Sequence, residues 1–214
     1  MNEPALDPDR RHPGGFKEAV SEGRKRYFDT KLQKNIVRVL PGDHYISRRD
    51  DELIVTVLGS CVAACIRDPL TGIGGMNHFM LPESSTGKWG SVSANMRYGN
   101  FAMETLINKI IRTGCPRERL EVKLFGGGNV TPGRIRVGDH NGKFALNYLH
   151  YEDLEPVAVD LGGNSARRIH YYPKTGKVDR LLLKRTSDIS YLKEENDYRS
   201  RLPNEMGGGD IDLF

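Results

Sequence analysis

Thr56 to Pro82, TVLGSCVAACIRDPLTGIGGMNHFMLP, consists of two apolar runs joined by Asp68-Pro69-Leu70-Thr71-Gly72. The joint has turn chemistry: an Asp opens it, a Pro presets φ, and a Gly can take the left-handed conformation. The flanking runs, Val62 to Ile66 and Ile73 to Leu81, suit a half-buried pleated surface, so the pattern predicts a β-hairpin. With the turn centred between Pro69 and Gly72, the residue opposite Cys61 falls near positions 78 to 80. If Cys61 pairs with His78 or with Met80, Cys61 and His78 share one face, with Cβ atoms about 4.5–5.5 Å apart as direct partners or about 7–8 Å as diagonal ones. A slip of one residue puts them on opposite faces.

That proximity matters because a thiolate, not a thiol, is the nucleophile, and a nearby imidazole can take the proton or stabilise the anion. Ser60 and the neighbouring glycines allow backbone N–H groups to approach a developing oxyanion. From the residues alone the competing reading stays open: a buried Cys behaves as a small hydrophobe, and a His can simply cap a strand end. Glycines on both sides of the hairpin predict a shallow, open site at a strand edge.

The 214 residues suffice for one domain with a substantial core. A hydrophobic content of 37% and the absence of any run near the roughly 20 apolar residues of a membrane span predict a protein that does not insert into a membrane. The N-terminus has no apolar leader-like region. Cys61, Cys65 and Cys115 form neither a CxxC pair nor an even disulfide set, which predicts reduced thiols, no zinc knuckle and a cytoplasmic location. A net charge of +4 falls short of a nucleic-acid signature, and Arg24-Lys25-Arg26-Tyr27 reads as a solvated flank rather than a nucleic-acid arm.

In chain order, residues 1–23 read as a flexible tail, 24–186 as one domain, and 187–214 as a charged, Gly-containing C-terminal tail. Leu53 to Leu58 is a β-branched run that predicts a buried strand leading into Gly59-Ser60-Cys61. The loop from Glu83 to Ser93 carries the single Trp89 as a candidate contact. Asn95 to Ile111 has a helix-period apolar stripe closed by Gly114. Leu120 to Phe125 predicts a strand ending in Gly126-Gly127-Gly128, a tight loop best explained by close backbone approach to the strand carrying Cys61. Phe144 to Tyr151 predicts a helix, Pro156 to Leu161 a strand, and Ile169 to Tyr172 with Val178 to Leu183 a hairpin about Pro173-Lys174-Thr175-Gly176.

Four blocks carry a resemblance: LGSCVAACIRDPLTGIGGMNHFMLP (58–82), RYGNFAMETLIN (97–108), KLFGGG (123–128) and DLGGNSARRIHYYPKTGKV (160–178). In this order, within a span of roughly residues 35 to 186, the sequence resembles the CheD family of bacterial chemotaxis proteins, cysteine-dependent deamidases that convert chemoreceptor glutamines to glutamates. The resemblance implies Cys61 as nucleophile, His78 as general base and acid, and Thr56, on the strand before the cysteine, as the residue orienting the imidazole. It implies no cofactor and no metal, and it admits cleavage of receptor methyl esters. The implied partners are the cytoplasmic helices of methyl-accepting receptors and a CheC-like phosphatase, with a location at receptor arrays. The alternative is a non-catalytic adaptor gripping the same partners. Gly138-Asp139-His140-Asn141 departs from the family's Gly-x-Arg-Asn at His140. The strand and helix pattern taken with the resemblance gives an α/β fold, a single-domain layered α/β/β sandwich of mixed, largely antiparallel sheets with outer helices.

Overall fold

The computed structural model describes residues 26–82, 92–130, 136–184 and 190–205. Their elements are β1 (Arg26–Asp29), β2 (Lys34–Arg38), β3 (His44–Ser47), β4 (Glu52–Leu58), β5 (Val62–Arg67), β6 (Gly74–Asn77), α1 (Val92–Ile111), β7 (Glu121–Gly126), α2 (Val137–Tyr151), β8 (Ala158–Leu161), β9 (Arg167–Tyr172), β10 (Lys177–Leu182) and α3 (Ser190–Glu205). Sheet A has the order β1-β2-β4-β9-β10, and sheet B the order β3-β6-β5-β7-β8. Within them β2–β4 and β7–β8 are parallel, and the other neighbours are antiparallel. Trp89, the 1–23 segment and residues 210–214 lie outside the described residues.

The predicted hairpin is β5–β6, in the register Cys65↔Met76 and Arg67↔Gly74. Asp68 builds its turn: its carbonyl accepts from Gly72 N, its carboxylate accepts from Leu70 N and Thr71 Oγ1, and Gly72 sits at φ 73°. Arg119 clamps the same carboxylate through two hydrogen bonds of 2.7 Å. A bridge between Val62 and Phe79 continues the register past β6. By that register Cys61 falls opposite Met80, which makes His78 its diagonal neighbour on the same face.

Period-two alternation divides the core into two layers. Val62, Ala64, Ile66, Phe79 and Leu81 point to α1 and α2, where they meet Met103, Leu106, Ile107, Ala145 and Leu149. Cys61, Ala63, Cys65, Met76 and Met80 point the other way, onto Ile54, Leu58, Ile169 and Tyr171 of sheet A. Helices α1 and α2, sheet B and sheet A thus form the α/β/β layering.

The largest differences from expectation lie in α2 and α3. Helix α2 begins at Val137, seven residues before Phe144, although Gly138 and Gly142 lower its intrinsic propensity. Close contact explains the first glycine: a Cβ on Gly138 would lie 2.4 Å from Gly127 O and 2.5 Å from Gly128 O. The C-terminal segment expected to be a charged tail contains α3, whose Tyr191, Tyr198 and Leu202 are buried at helical spacing. Tyr198 and Leu202 join the core between the two sheets.

Candidate active site

Strand β4 is the middle strand of sheet A and β5 the middle strand of sheet B, and Gly59-Ser60-Cys61 is the link between them. Each carbonyl of that link is tied into the protein. Gly59 O accepts from Gly128 N, Ser60 O from Asn141 Nδ2, and Cys61 O from Gly127 N, at 2.7–2.8 Å. The KLFGGG loop is therefore the close backbone approach its composition predicts. Gly126, at φ 116°, passes so near Cys61 O that a Cβ would come within 2.2 Å of it. With their carbonyls turned away, the three consecutive N–H groups of Gly59, Ser60 and Cys61 converge on one point, the geometry of an anion nest.

Glu195 of α3 occupies that point. Its carboxylate accepts from Gly59 N at 2.8 Å, Ser60 N at 3.1 Å, Cys61 N at 3.2 Å and Ser60 Oγ at 2.8 Å. It is 3% exposed. Nothing in the sequence flagged it. A glutamate in a run of charged residues reads as a solvated helix face, and the contact spans more than 130 residues of chain.

His78 and Thr56 arrive from opposite sheets. The Thr56 hydroxyl donates its single proton to Val39 O at 2.8 Å, so it can only accept from His78 Nδ1, also at 2.8 Å. This fixes the Nδ1–H tautomer and leaves the Nε2 lone pair available. Nε2 is buried and makes no protein hydrogen bond. Cys61 Sγ, a His78 ring nitrogen and a Glu195 carboxylate oxygen all lie within 4.8 Å of one another. These donors are of a kind that could also close on a divalent cation.

Cys61 is fully buried and His78 is 1% exposed, in place of the shallow, open site expected from the glycines. Burial pushes the Cys61 thiol well above its usual range, and the adjacent Glu195 carboxylate adds to the shift. Burial likewise lowers the His78 imidazole to about 4, against the opposing pull of Glu195 and the Val39 carbonyl. The pair therefore rests as thiol and neutral imidazole. Cys65 lies on the same face four residues further along, buried, with its thiol also raised by burial. Cys115 packs in the core beneath α1.

Asn141 is a second residue whose part the sequence did not reveal. Fully buried on α2, it donates to Ser60 O and accepts from Leu81 N, so one side chain fixes both the cysteine link and the strand leaving His78. His140 beside it, where the chain departs from the family pattern, bonds through Nδ1 to Arg136 O.

Comparison with known proteins places the chain in a family. A family described as CheD chemotactic sensory transduction matches residues 80–180. A "Probable chemoreceptor glutamine deamidase CheD" of Rhodopseudomonas palustris (strain BisA53) is 48% identical over 190 residues, 89% of this chain and 89% of its own length. Its namesake from Thiobacillus denitrificans is 45% identical over 190 residues, 88% of this chain and 94% of that one. That of Bordetella parapertussis is 51% identical over 156 residues, 72% of this chain and 73% of its own. Among solved structures, the Bacillus licheniformis hypothetical protein YfiH aligns with a TM-score of 0.37 and 11% identity over 57% of this chain and 50% of that one, too distant to carry any inference. With identity near one half across most of both chains, this protein belongs to the CheD family.

Proposed function

We propose that this chain is a chemoreceptor glutamine deamidase in which Cys61 is the nucleophile, His78 the general base and acid, and Thr56 the residue that holds the imidazole. The observation that carries the reading is that the Cys61 thiol and a His78 ring nitrogen lie within 4.8 Å of each other and of the carboxylate that three consecutive backbone amides hold. The names of the relatives supply the substrate class.

The chemistry follows from the geometry. His78 Nε2 takes the thiol proton as Cys61 Sγ attacks the side-chain amide carbon, and the oxygen that becomes an oxyanion is received by the Gly59–Cys61 amides. Such donors are worth about 10²–10³-fold each in rate where one has been removed from a comparable hole. The imidazolium returns the proton to the amide nitrogen, the C–N bond breaks, and ammonia leaves a thioester. Water, deprotonated by Nε2, attacks the thioester; the C–S bond breaks, the thiolate recovers its proton and glutamate is released. A glutamate methyl ester would follow the same course with methanol as leaving group. No helix among the described residues is long and apolar enough to cross a membrane. Following the names of the relatives, the protein meets receptors at their cytoplasmic helices within receptor arrays, with a CheC-like phosphatase as a second partner of the same surface.

The test is mass spectrometry of a receptor cytoplasmic fragment incubated with the parent, Cys61→Ala, His78→Ala, Cys65→Ala or Cys115→Ala. Expected are amide-to-acid mass shifts at specific glutamines with the parent and with the Cys65 and Cys115 variants, and none with Cys61→Ala. His78→Ala should lose nearly as much, since the members of one catalytic unit are not additive. Full activity in Cys61→Ala refutes the assignment.

A further inference from the structure

The Glu195 contact goes beyond catalysis. Glutamate is the product of glutamine deamidation, and here a glutamate side chain carried on a helix sits in the amide nest beside Cys61 and His78. The rest of α3 is shaped to the same groove. Tyr191 and Glu195 cover Gly59, where a Cβ would fall 2.9 Å from each of them. Tyr198 covers Gly42, whose backbone N–H holds His78 O and where a Cβ would fall 2.5 Å from the tyrosine ring. Glu194 pairs with Arg38 of β2 at 2.7 Å at the rim. The buried stripe of α3 thus reads Tyr191, Glu195, Tyr198, Leu202, with an acid where helix patterning calls for an apolar residue. Burying a carboxylate is costly unless every lone pair is engaged, and the nest supplies four donors.

A nucleophile that is fully buried cannot meet a receptor helix, so turnover requires a covering element to leave. Among the described residues, α3 supplies the side chain that fills the nest, while α2 and the glycine loop bond the carbonyls of the same three residues. Resting on the deamidase reading above, we propose that α3 is an internal product analogue: it fills the groove that receives the substrate helix, Glu195 stands where the product carboxylate stands, and α3 must vacate before a helix-borne glutamine can enter. The groove's ligand is then a helix presenting a glutamine or glutamate with apolar residues one turn to either side, and the enzyme is self-inhibited in proportion to the time α3 spends docked. Apparent affinity is reduced by the fraction of molecules in the competent state. Releasing α3 should therefore lower KM for a receptor fragment and leave kcat unchanged.

The experiment uses the full chain as parent, Glu195→Ala and Glu194→Lys. The second variant lies outside the nest and sets a lysine against Arg38 at the half-exposed rim, so it weakens docking without touching the site. Two rates are measured under native conditions, with urea unfolding as a control: iodoacetamide alkylation of Cys61, and deamidation of a receptor cytoplasmic fragment. Expected are at least tenfold faster alkylation in both variants, a fall of similar size in KM, and unchanged kcat. Unchanged alkylation in both, with the fragment still deamidated, overturns the inference and leaves the deamidase reading intact. Faster alkylation with no glutamine turnover by any of the three, parent included, overturns the deamidase reading and with it the product analogy, leaving α3 as a cover only. If a chelator alone gives the parent the same rise in alkylation, a cation held by Cys61, His78 and Glu195 accounts for the protection and the helix inference fails.

Discussion

Replacing Thr56 by Val keeps the shape of the side chain and removes one hydroxyl that serves two buried partners. In the parent that hydroxyl donates to Val39 O and accepts from His78 Nδ1–H. The variant leaves Nδ1–H without its hydroxyl acceptor in a site that is 1% exposed. A buried donor without a partner costs about 1–3 kcal/mol, so the Nδ1–H tautomer loses that much of its advantage over the tautomer whose proton blocks Nε2. At about 1.4 kcal/mol per tenfold, the competent tautomer falls by roughly one to two orders of magnitude, and kcat/KM for a receptor fragment should fall with it. Urea unfolding should report a larger stability loss, about 2–6 kcal/mol, because Val39 O loses a donor as well, at about 1–3 kcal/mol for each group. Thr56→Ser restores the hydroxyl, and with it most of the rate. Ammonia release from the fragment, measured for the three proteins after circular dichroism has verified their folds, decides the matter. Activity of Thr56→Val within twofold of the parent, or a loss in Thr56→Ser as large as in Thr56→Val, would falsify the assigned role.

Two further outcomes follow from the site. Because burial lowers His78 to about 4 from an ordinary value near 6.5, the unfolded chain binds more protons than the folded one between those pH values. Stability should therefore be full above about pH 6.5 and decline as pH falls toward 4, by up to about 3 kcal/mol at roughly 1.4 kcal/mol per pH unit. Urea midpoints from pH 4 to 7.5 should show this slope in the parent and a flatter one in His78→Gln; equal slopes would remove His78 as its source. Asn141→Leu deletes the brace between Ser60 O and Leu81 N, leaving two buried backbone groups unpaired at about 1–3 kcal/mol each. It should reduce kcat/KM well beyond what its stability loss explains at temperatures where it remains folded, and parent-like turnover would show that the link holds its shape without Asn141.

The hairpin was legible because its determinants are local, turn chemistry at Asp68 to Gly72 and a period of two along its strands; it brought Cys61 and His78 near each other but left open whether they share a face, which the register Cys65↔Met76 decides. Thr56 was named through the family resemblance, as the one threonine on the strand before the cysteine; periodicity alone did not choose between positions 55 and 56. The glycine run at 126 to 128 was read correctly as backbone contact because a side chain there has nowhere to go. What escaped depends on distant contacts. Glu195 and Asn141 are ordinary polar residues in their own helices, and only the tertiary fold turns them toward Gly59-Ser60-Cys61. The early start of α2 escaped because glycine's low helix propensity masked a tertiary need for Gly138. For α3, three apolar anchors in sixteen residues gave a hydrophobic stripe too thin to stand out against the charge around it.

The position of Gly59-Ser60-Cys61 between the middle strands of the two sheets gives the protein an unusual mechanical coupling. Thr56 belongs to sheet A, His78 leaves the end of β6 in sheet B, and the 2.8 Å bond between them spans the gap between the layers. Any shear of one sheet over the other changes that bond directly, while the cysteine link is stretched or slackened at the same moment. Close-packed interiors pass such displacements on rather than absorbing them, and misplacement of a reacting group by about 1 Å can cost 10²-fold in rate. Turnover in this protein should thus act as a strain gauge for its own core. Pressure, or a trimmed side chain at Ile54 or Met76, would detune the reaction while the sandwich as a whole still stands.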